Sequence, residues 1–264
     1  MSNTTIRPIG IFDSGIGGTS ILKEINMLLP NENTIYLSDS ANAPYGQKTL
    51  QRIIELSRKN TEYLLNKGCK IIVVACNTAT TNAIEALRSE YNVPFIGIEP
   101  AIKPAALKTF TNTIGILATK GTLNSDLFEK TSSKINKEIT IVEQIGEGLV
   151  ELIENGEIYS KKMTNLLENY IQSILKKNAD CIVLGCTHYP YLTPQIKKIA
   201  GDNINIIDSG EAVARQAKNI LTAQKLVNQS AYKGVYQIFI NSNSNALKGI
   251  LGNTSQYIIK EESF

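Results

Sequence analysis

The sequence predicts an α/β protein of two pseudo-symmetric open halves, each with a mostly parallel sheet, and an active site between them. Three observations lead to that expectation. Apolar runs rich in β-branched residues alternate with helical apolar spacing along the chain, the signature of repeated βαβ units. The pattern begins again after Glu99-Pro100, where Thr113-Ile-Gly-Ile-Leu117 repeats Pro8-Ile-Gly-Ile-Phe12. Two further runs, Ile71-Ile-Val-Val-Ala-Cys76-Asn-Thr and Cys181-Ile-Val-Leu-Gly-Cys186-Thr-His, each end on a thiol followed by hydroxyl or amide side chains.

The elements follow in order. Ile9–Phe12 is the first strand and Asp13-Ser-Gly-Ile-Gly-Gly18 its loop; Thr19–Leu29 has helical spacing and stops at Pro30. Thr34–Leu37 is the second strand, and the loop Asp39-Ser-Ala-Asn-Ala-Pro-Tyr-Gly46 follows it. Thr49–Leu65 is a helix closed by Lys67-Gly68, and Ile71–Ala75 is the third strand. After it, Asn77–Thr81 reads as a polar turn, Asn82–Glu90 as a helix and Pro94–Ile98 as a strand. In the second half the glycines Gly10 and Gly115 correspond, and Cys76 corresponds to Cys186, with shifts of 105 and 110 residues. Leu64-Leu-Asn-Lys-Gly68 lines up with Ile174-Leu-Lys-Lys-Asn178 at the ends of the preceding helices. Such agreement across most of a domain implies two related halves, with a period far too long for a solenoid. The expected domains are residues 1–99 with 210–264 on the Cys76 side, and 100–209 on the Cys186 side. The tail from Ser209, with a helix at Glu211–Leu221, fits either half by pattern and is assigned to the first.

Composition narrows the function classes. At 264 residues, 42% hydrophobic and 19% charged, the chain is an ordinary globular protein with room for real cores. A net charge of +3 with scattered Lys and Arg, few aromatics and no Trp argues against nucleic acid as a partner. No run approaches a membrane span, and the N-terminal Met1-Ser-Asn-Thr-Thr-Ile-Arg-Pro has no apolar targeting core, so the expectation is cytoplasmic, with no membrane partner. Four cysteines in that compartment are packing or chemistry rather than a disulfide scaffold. There is no Cys-x-x-Cys pair and one histidine, so no metal is expected.

Open α/β sheets bind ligands beyond the carboxyl ends of their strands, which is where Cys76 and Cys186 fall. Free N–H groups after Cys76 would bind a carboxylate and lower the thiol pKa, although a buried free cysteine is as often a packing residue. Cys186 has the same setting, with Thr187 and His188 beside it. His188 could exchange a proton with the thiol or orient a carboxylate. The repetition favours chemistry at both. Cys69 and Cys181, at the other ends of those strands, read as packing residues. Asp13 reads as a helix cap or as an orienting carboxylate; taken alone, the cap is favoured. The glycines of Gly15-Ile-Gly-Gly18 are not a dinucleotide fingerprint and would let the backbone approach a small anion. Tyr45 is a substrate contact or a loop aromatic; position does not choose.

Together these segments resemble the cofactor-independent aspartate/glutamate racemase family, above all its glutamate-specific members. The likeness runs from about residue 8 to about 215. It rests on Gly10–Gly18, Asp39–Gly46, Val74-Ala-Cys-Asn-Thr-Ala-Thr80, Leu184-Gly-Cys-Thr-His-Tyr-Pro190, Gly115-Ile-Leu-Ala-Thr-Lys-Gly-Thr122 and Ile207-Asp-Ser-Gly-Glu-Ala212. The resemblance implies interconversion of L- and D-glutamate without a cofactor, by two thiols on opposite faces of the substrate, with the D-glutamate feeding peptidoglycan. It implies that Cys76 serves one enantiomer and Cys186 the other, with Asp13 beside the first and His188 beside the second. Ser14, Pro44, Tyr45, Gly46, Asn77, Thr78, Thr119, Thr122 and Thr187 match positions that hold the substrate. It also implies a homodimer. The family usually supplies an acidic helper to the second cysteine from a proline-containing segment with a Val-Glu-x-Gly turn. Here the stretch is Gly146-Glu-Gly-Leu-Val-Glu-Leu-Ile-Glu-Asn-Gly156, without prolines; Glu154 is the best match, with Glu147 and Glu151 nearby. The short lead before the first motif implies no precursor-sensing extension of the kind associated with longer members.

The bottom-up chemistry agrees: no pattern points to a pyridoxal lysine, so a polar pocket must stabilise the carbanion, and a thiol with an ordinary pKa of about 8.5 is a base near neutrality. Aspartate or a hydantoin as substrate, a non-catalytic amino-acid binding protein, and a cysteine hydrolase or transferase are the competing readings. The last leaves the second cysteine surplus.

Overall fold

The computed structural model describes residues 4–264; Met1–Asn3 of the N-terminal stretch lie outside the described residues. In the first half the chain runs β1 (Ile9–Asp13), α1 (Thr19–Leu28), β2 (Thr34–Ser38), α2 (Leu50–Asn66), β3 (Ile71–Val74), α3 (Asn77–Glu90) and β4 (Phe95–Gly97). It continues through α4 (Ile102–Lys108), β5 (Thr113–Ala118), α5 (Lys120–Leu123), α6 (Asp126–Ser132), β6 (Thr140–Ile145), α7 (Leu149–Glu154), α8 (Lys161–Leu175), β7 (Cys181–Gly185), α9 (Thr193–Ala200) and β8 (Asn205–Ile207). The tail adds α10 (Gly210–Ala223), β9 (Tyr236–Ile240), α11 (Asn245–Leu251) and β10 (Tyr257–Glu261).

All pairings are parallel. One sheet has the order β10-β9-β2-β1-β3-β4 and the other β6-β5-β7-β8. The four strands β2-β1-β3-β4 and β6-β5-β7-β8 have one topology, so the pattern repeat is a repeat of structure. Its details match. A Cβ on Gly10 would stand 3.2 Å from Leu64, and one on Gly115 would stand 2.2 Å from Ile174, the aligned residue of the aligned helix. Gly68 and Asn178, paired by the same shift, both carry a left-handed φ, of 79° and 64°. Each strand–helix unit therefore closes through the same turn.

Helix α1 packs on α10 across one face of the first sheet, while α2 and α3 cover the other around Phe12, Leu37, Val74, Leu56 and Leu87. One apolar cluster joins the halves, running from Ile16, Ile21 and Ile25 through Leu149 and Ile153 of α7 to Leu184 and Tyr189. Burial on both faces explains why β1, β3 and β7 are continuous apolar runs.

Two features differ from the sequence reading. Helix α3 starts at Asn77, not Asn82; weak helix formers such as Thr and Asn hide its first turn, which packing on the sheet fixes. The tail also supplies two strands that periodicity did not single out, β9 and β10, which extend the first sheet beyond β2.

Candidate active site

Strands β1, β3 and β7 end at one place, and their last residues and loops carry the reactive groups. Cys76 caps α3, its sulfur accepting from Ala79 N–H at 3.4 Å and its thiol donating to Ser14 Oγ at 3.5 Å. The expected depression of this thiol does not occur. Burial, reinforced by the neighbouring Asp13 carboxylate, pushes Cys76 well above the ordinary thiol value, outweighing Ser14 and the Ala79 N–H. Asp13 ends β1 fully buried, and its Oδ2 accepts from Gly18 N–H at 2.7 Å. Gly18, not Asp13, is the N-cap residue of α1, so Asp13 satisfies the helix start from five residues away while facing Cys76. Burial raises the Asp13 pKa; the His188 charge and Gly18 N–H draw it back only in part.

The second thiol has a different partner. Cys186 follows β7, and a 3-10 turn at Tyr189–Leu192 precedes α9, so its setting is not the helix start found at Cys76. Its Sγ lies 3.7 Å from His188 Nδ1. His188 Nε2 lies 2.6 Å from Glu154 Oε1. Burial opposes charge on the ring, but the bonds to Cys186 and Glu154 outweigh it and hold His188 well above the usual imidazole range. Gly17 N–H also points at Nε2, from 3.2 Å, so the glycine loop and Glu154 share this nitrogen while Nδ1 faces Cys186. Glu147 and Glu151 instead line an outer concavity with Gln47, and Gln47 donates to Glu151.

The glycine loop makes room for that second dyad. A Cβ on Gly15 would lie 2.0 Å from Glu154 Oε1, and one on Gly17 2.2 Å from His188 Nδ1. These glycines admit protein side chains from the other half, and the anion that the loop backbone meets is the Glu154 carboxylate, through Ile16 N–H.

Both thiols line one narrow cavity, together with Ser14, Pro44, Tyr45, Gly46, Asn77, Thr78, Thr119, Thr187 and His188. Thr122 stands behind it, its hydroxyl 3.0 Å from Thr119 Oγ1, which in turn is 2.8 Å from Thr78 Oγ1. Tyr45 is buried, its hydroxyl donating to Asp39 and accepting from Asn60. Asn77 Oδ1 is buried without a hydrogen-bond partner among the described residues. Sequence reasoning missed Val150, which forms part of the wall, and Ser40, which donates to Glu154 Oε2 at 2.7 Å. Ser40 lay inside a quoted motif, but its partner is 114 residues away. Cys69 and Cys181 are buried away from the cavity; burial pushes them up to about 12 and about 11. Among the described residues no three His, Cys, Asp or Glu side chains are grouped to hold a metal, and no helix is long and apolar enough to cross a membrane.

Residues 9–217 match the model of the Asp/Glu/hydantoin racemase family. The chain belongs to that family. It is 44% identical to a glutamate racemase of Herpetosiphon aurantiacus over 86% of this chain and 90% of the relative. Its fold is similar to that of a glutamate racemase isoform of Bacillus anthracis, with a TM-score of 0.87, 28% identity and 98% of each chain covered. A glutamate racemase of Francisella tularensis, crystallised with D-glutamate, gives 0.84 at 28% identity, again with 98% of each chain covered.

Proposed function

We propose that this protein is a glutamate racemase that interconverts L- and D-glutamate by a cofactor-independent two-thiol mechanism. The observation that carries the reading is the placement of Cys76 and Cys186 at equivalent strand ends on one cavity, each with its own acid–base partner. The family match and glutamate racemase relatives of nearly full length support glutamate as substrate. The same reading takes the protein to be a cytoplasmic homodimer supplying D-glutamate for peptidoglycan.

One sulfur, as thiolate, takes the α-proton from one face of the amino acid, and the electron pair is left on Cα. The other sulfur, as thiol, delivers its proton to the opposite face and becomes the thiolate. The reverse direction exchanges the two roles. On the Cys186 side, the His188 imidazolium passes its Nδ1 proton to sulfur or takes one back, with Glu154 fixing the ring. On the Cys76 side, burial beside Asp13 keeps sulfur protonated until a substrate ammonium arrives to offset the carboxylate. The unpartnered Asn77 Oδ1 accepts from that ammonium, and the N–H groups at the start of α3 hold the carboxylate as charge grows on it. Burial of both thiols, Asp13 and His188 keeps them from bulk water and strengthens each interaction.

Proton NMR with L-glutamate in D₂O, without pyridoxal phosphate or metal, tests the proposal. The α-proton signal should disappear while chiral analysis finds D-glutamate. An unchanged α-proton with folded protein would remove glutamate; exchange of aspartate alone would move the substrate, and exchange of neither would leave a binding protein.

A further inference from the structure

Glu154 belongs to α7 of the second half, but the groups that fix its carboxylate belong to the first. Oε1 accepts from Ile16 N–H at 2.7 Å while facing His188 Nε2. Oε2 accepts from the Ser40 hydroxyl at 2.7 Å. Ser40 opens a 3-10 turn, Ser40–Asn42, that is held from the tail. Asn241, one residue beyond β9, accepts from Ala41 N–H at 2.9 Å and donates to Asp39 Oδ1. A carboxylate held only at one oxygen can swing about its last bond; an anchor on the second oxygen sets the plane presented to the imidazole. Ser40 does not line the cavity, so it acts through Glu154.

We propose that Ser40 is a positioning residue for the Glu154–His188–Cys186 relay, so that a loop of the first half aligns the acid–base pair of the second only when the halves are together. This rests on the racemase reading of the site. The titratable groups facing His188 are Cys186 from its own segment, Glu154 from α7 and Asp13 from the end of β1. Ser40 bears on one of these and leaves the other two in place.

The test uses the full chain and its Ser40→Ala, Ser40→Thr, Glu154→Gln and Ser40→Ala/Glu154→Gln variants. Turnover is measured in both directions, and the ring of the sole histidine is followed by nitrogen–proton NMR against pH. In Ser40→Ala, kcat should fall about ten-fold in both directions, the size of one hydrogen bond to a charged group. KM should change little, because the substrate loses no contact. The His188 imidazolium should lose its proton at lower pH than in the wild type, and Ser40→Thr should recover both properties. In the Glu154→Gln background, removing the Ser40 hydroxyl should do nothing further. Unchanged kcat and histidine titration in Ser40→Ala, or an additive loss in the double variant, would overturn the proposal. Should Ser40→Ala fail to fold, Ser40→Cys keeps the size with a weaker donor, and the same histidine readout decides. That readout needs no turnover, so a wild type inactive on glutamate would defeat the racemase reading and still leave the anchoring role tested.

Discussion

Replacing Gly17 by alanine separates the needs of the Cys186 side from those of the fold. Gly17 is not among the residues with positive φ, so alanine suits its backbone and the conflict is purely steric. The added methyl would lie 2.2 Å from His188 Nδ1, 2.4 Å from Cγ and 2.6 Å from Cε1, where ordinary contact begins at 3.4 Å. The ring or the loop must retreat by more than an ångström, and the ring is held by its 2.6 Å bond to Glu154. A displacement of that size at reacting groups costs about a hundred-fold in rate, or ~2.7 kcal/mol of barrier. Overpacking should cost about 1–3 kcal/mol of stability. Urea unfolding and α-proton exchange in D₂O measure the two losses on one preparation. Gly249→Ala is the control: nothing lies within 4 Å of its Cβ, and its place in α11 should give about 0.5–1 kcal/mol of added stability with turnover unchanged. Wild-type turnover in Gly17→Ala would refute the claim that His188 must stand where it does.

Other consequences are as direct. Cys76→Ser or Cys186→Ser should each lower racemisation at least about a thousand-fold, since a hydroxyl is a far weaker acid than a thiol, while D-glutamate binding by calorimetry persists. Asp13→Asn should lose turnover yet gain stability towards neutral pH. The folded Asp13 pKa is raised, so its favourable contribution is full below about 3.9 and lost as pH rises through the folded value. The melting-temperature advantage of Asp13→Asn should therefore grow across that window, and a pH-independent difference would contradict it. Lys70→Met should cost about 3–5 kcal/mol in urea unfolding, because Lys70 Nζ pairs with Glu32 and binds Thr5 and Leu226 carbonyls in a nearly dry site. A loss below about 1 kcal/mol would mean that water reaches Glu32.

The sequence carried the repeat because its demands are local. Gly10 and Gly115 must admit a helix side chain, Gly68 and Asn178 must turn left-handed, and Cys76 and Cys186 must end buried strands, so each leaves a mark at its own position. What was not legible depends on partners far along the chain. The loop glycines looked like an anion cradle because nothing near them names Glu154 or His188, which fill the space. The high pKa of Cys76 was hidden for the same reason: the helix start is local, but the burial and the Asp13 charge that outweigh it come from assembly. Strand β10 alternates buried and exposed residues for only part of its five residues, at a sheet edge, too short a signal to stand out.

The central claim is that two sulfurs act on opposite faces of one substrate. The measurement that bears on it most directly is the isotopic content of both enantiomers during the first turnover of L-glutamate in D₂O. Two bases predict D-glutamate carrying deuterium at Cα while the remaining L-glutamate keeps its proton. Deuterium appearing in the remaining L-glutamate as fast as in the product would mean that one base serves both faces, and the two-thiol account would be wrong.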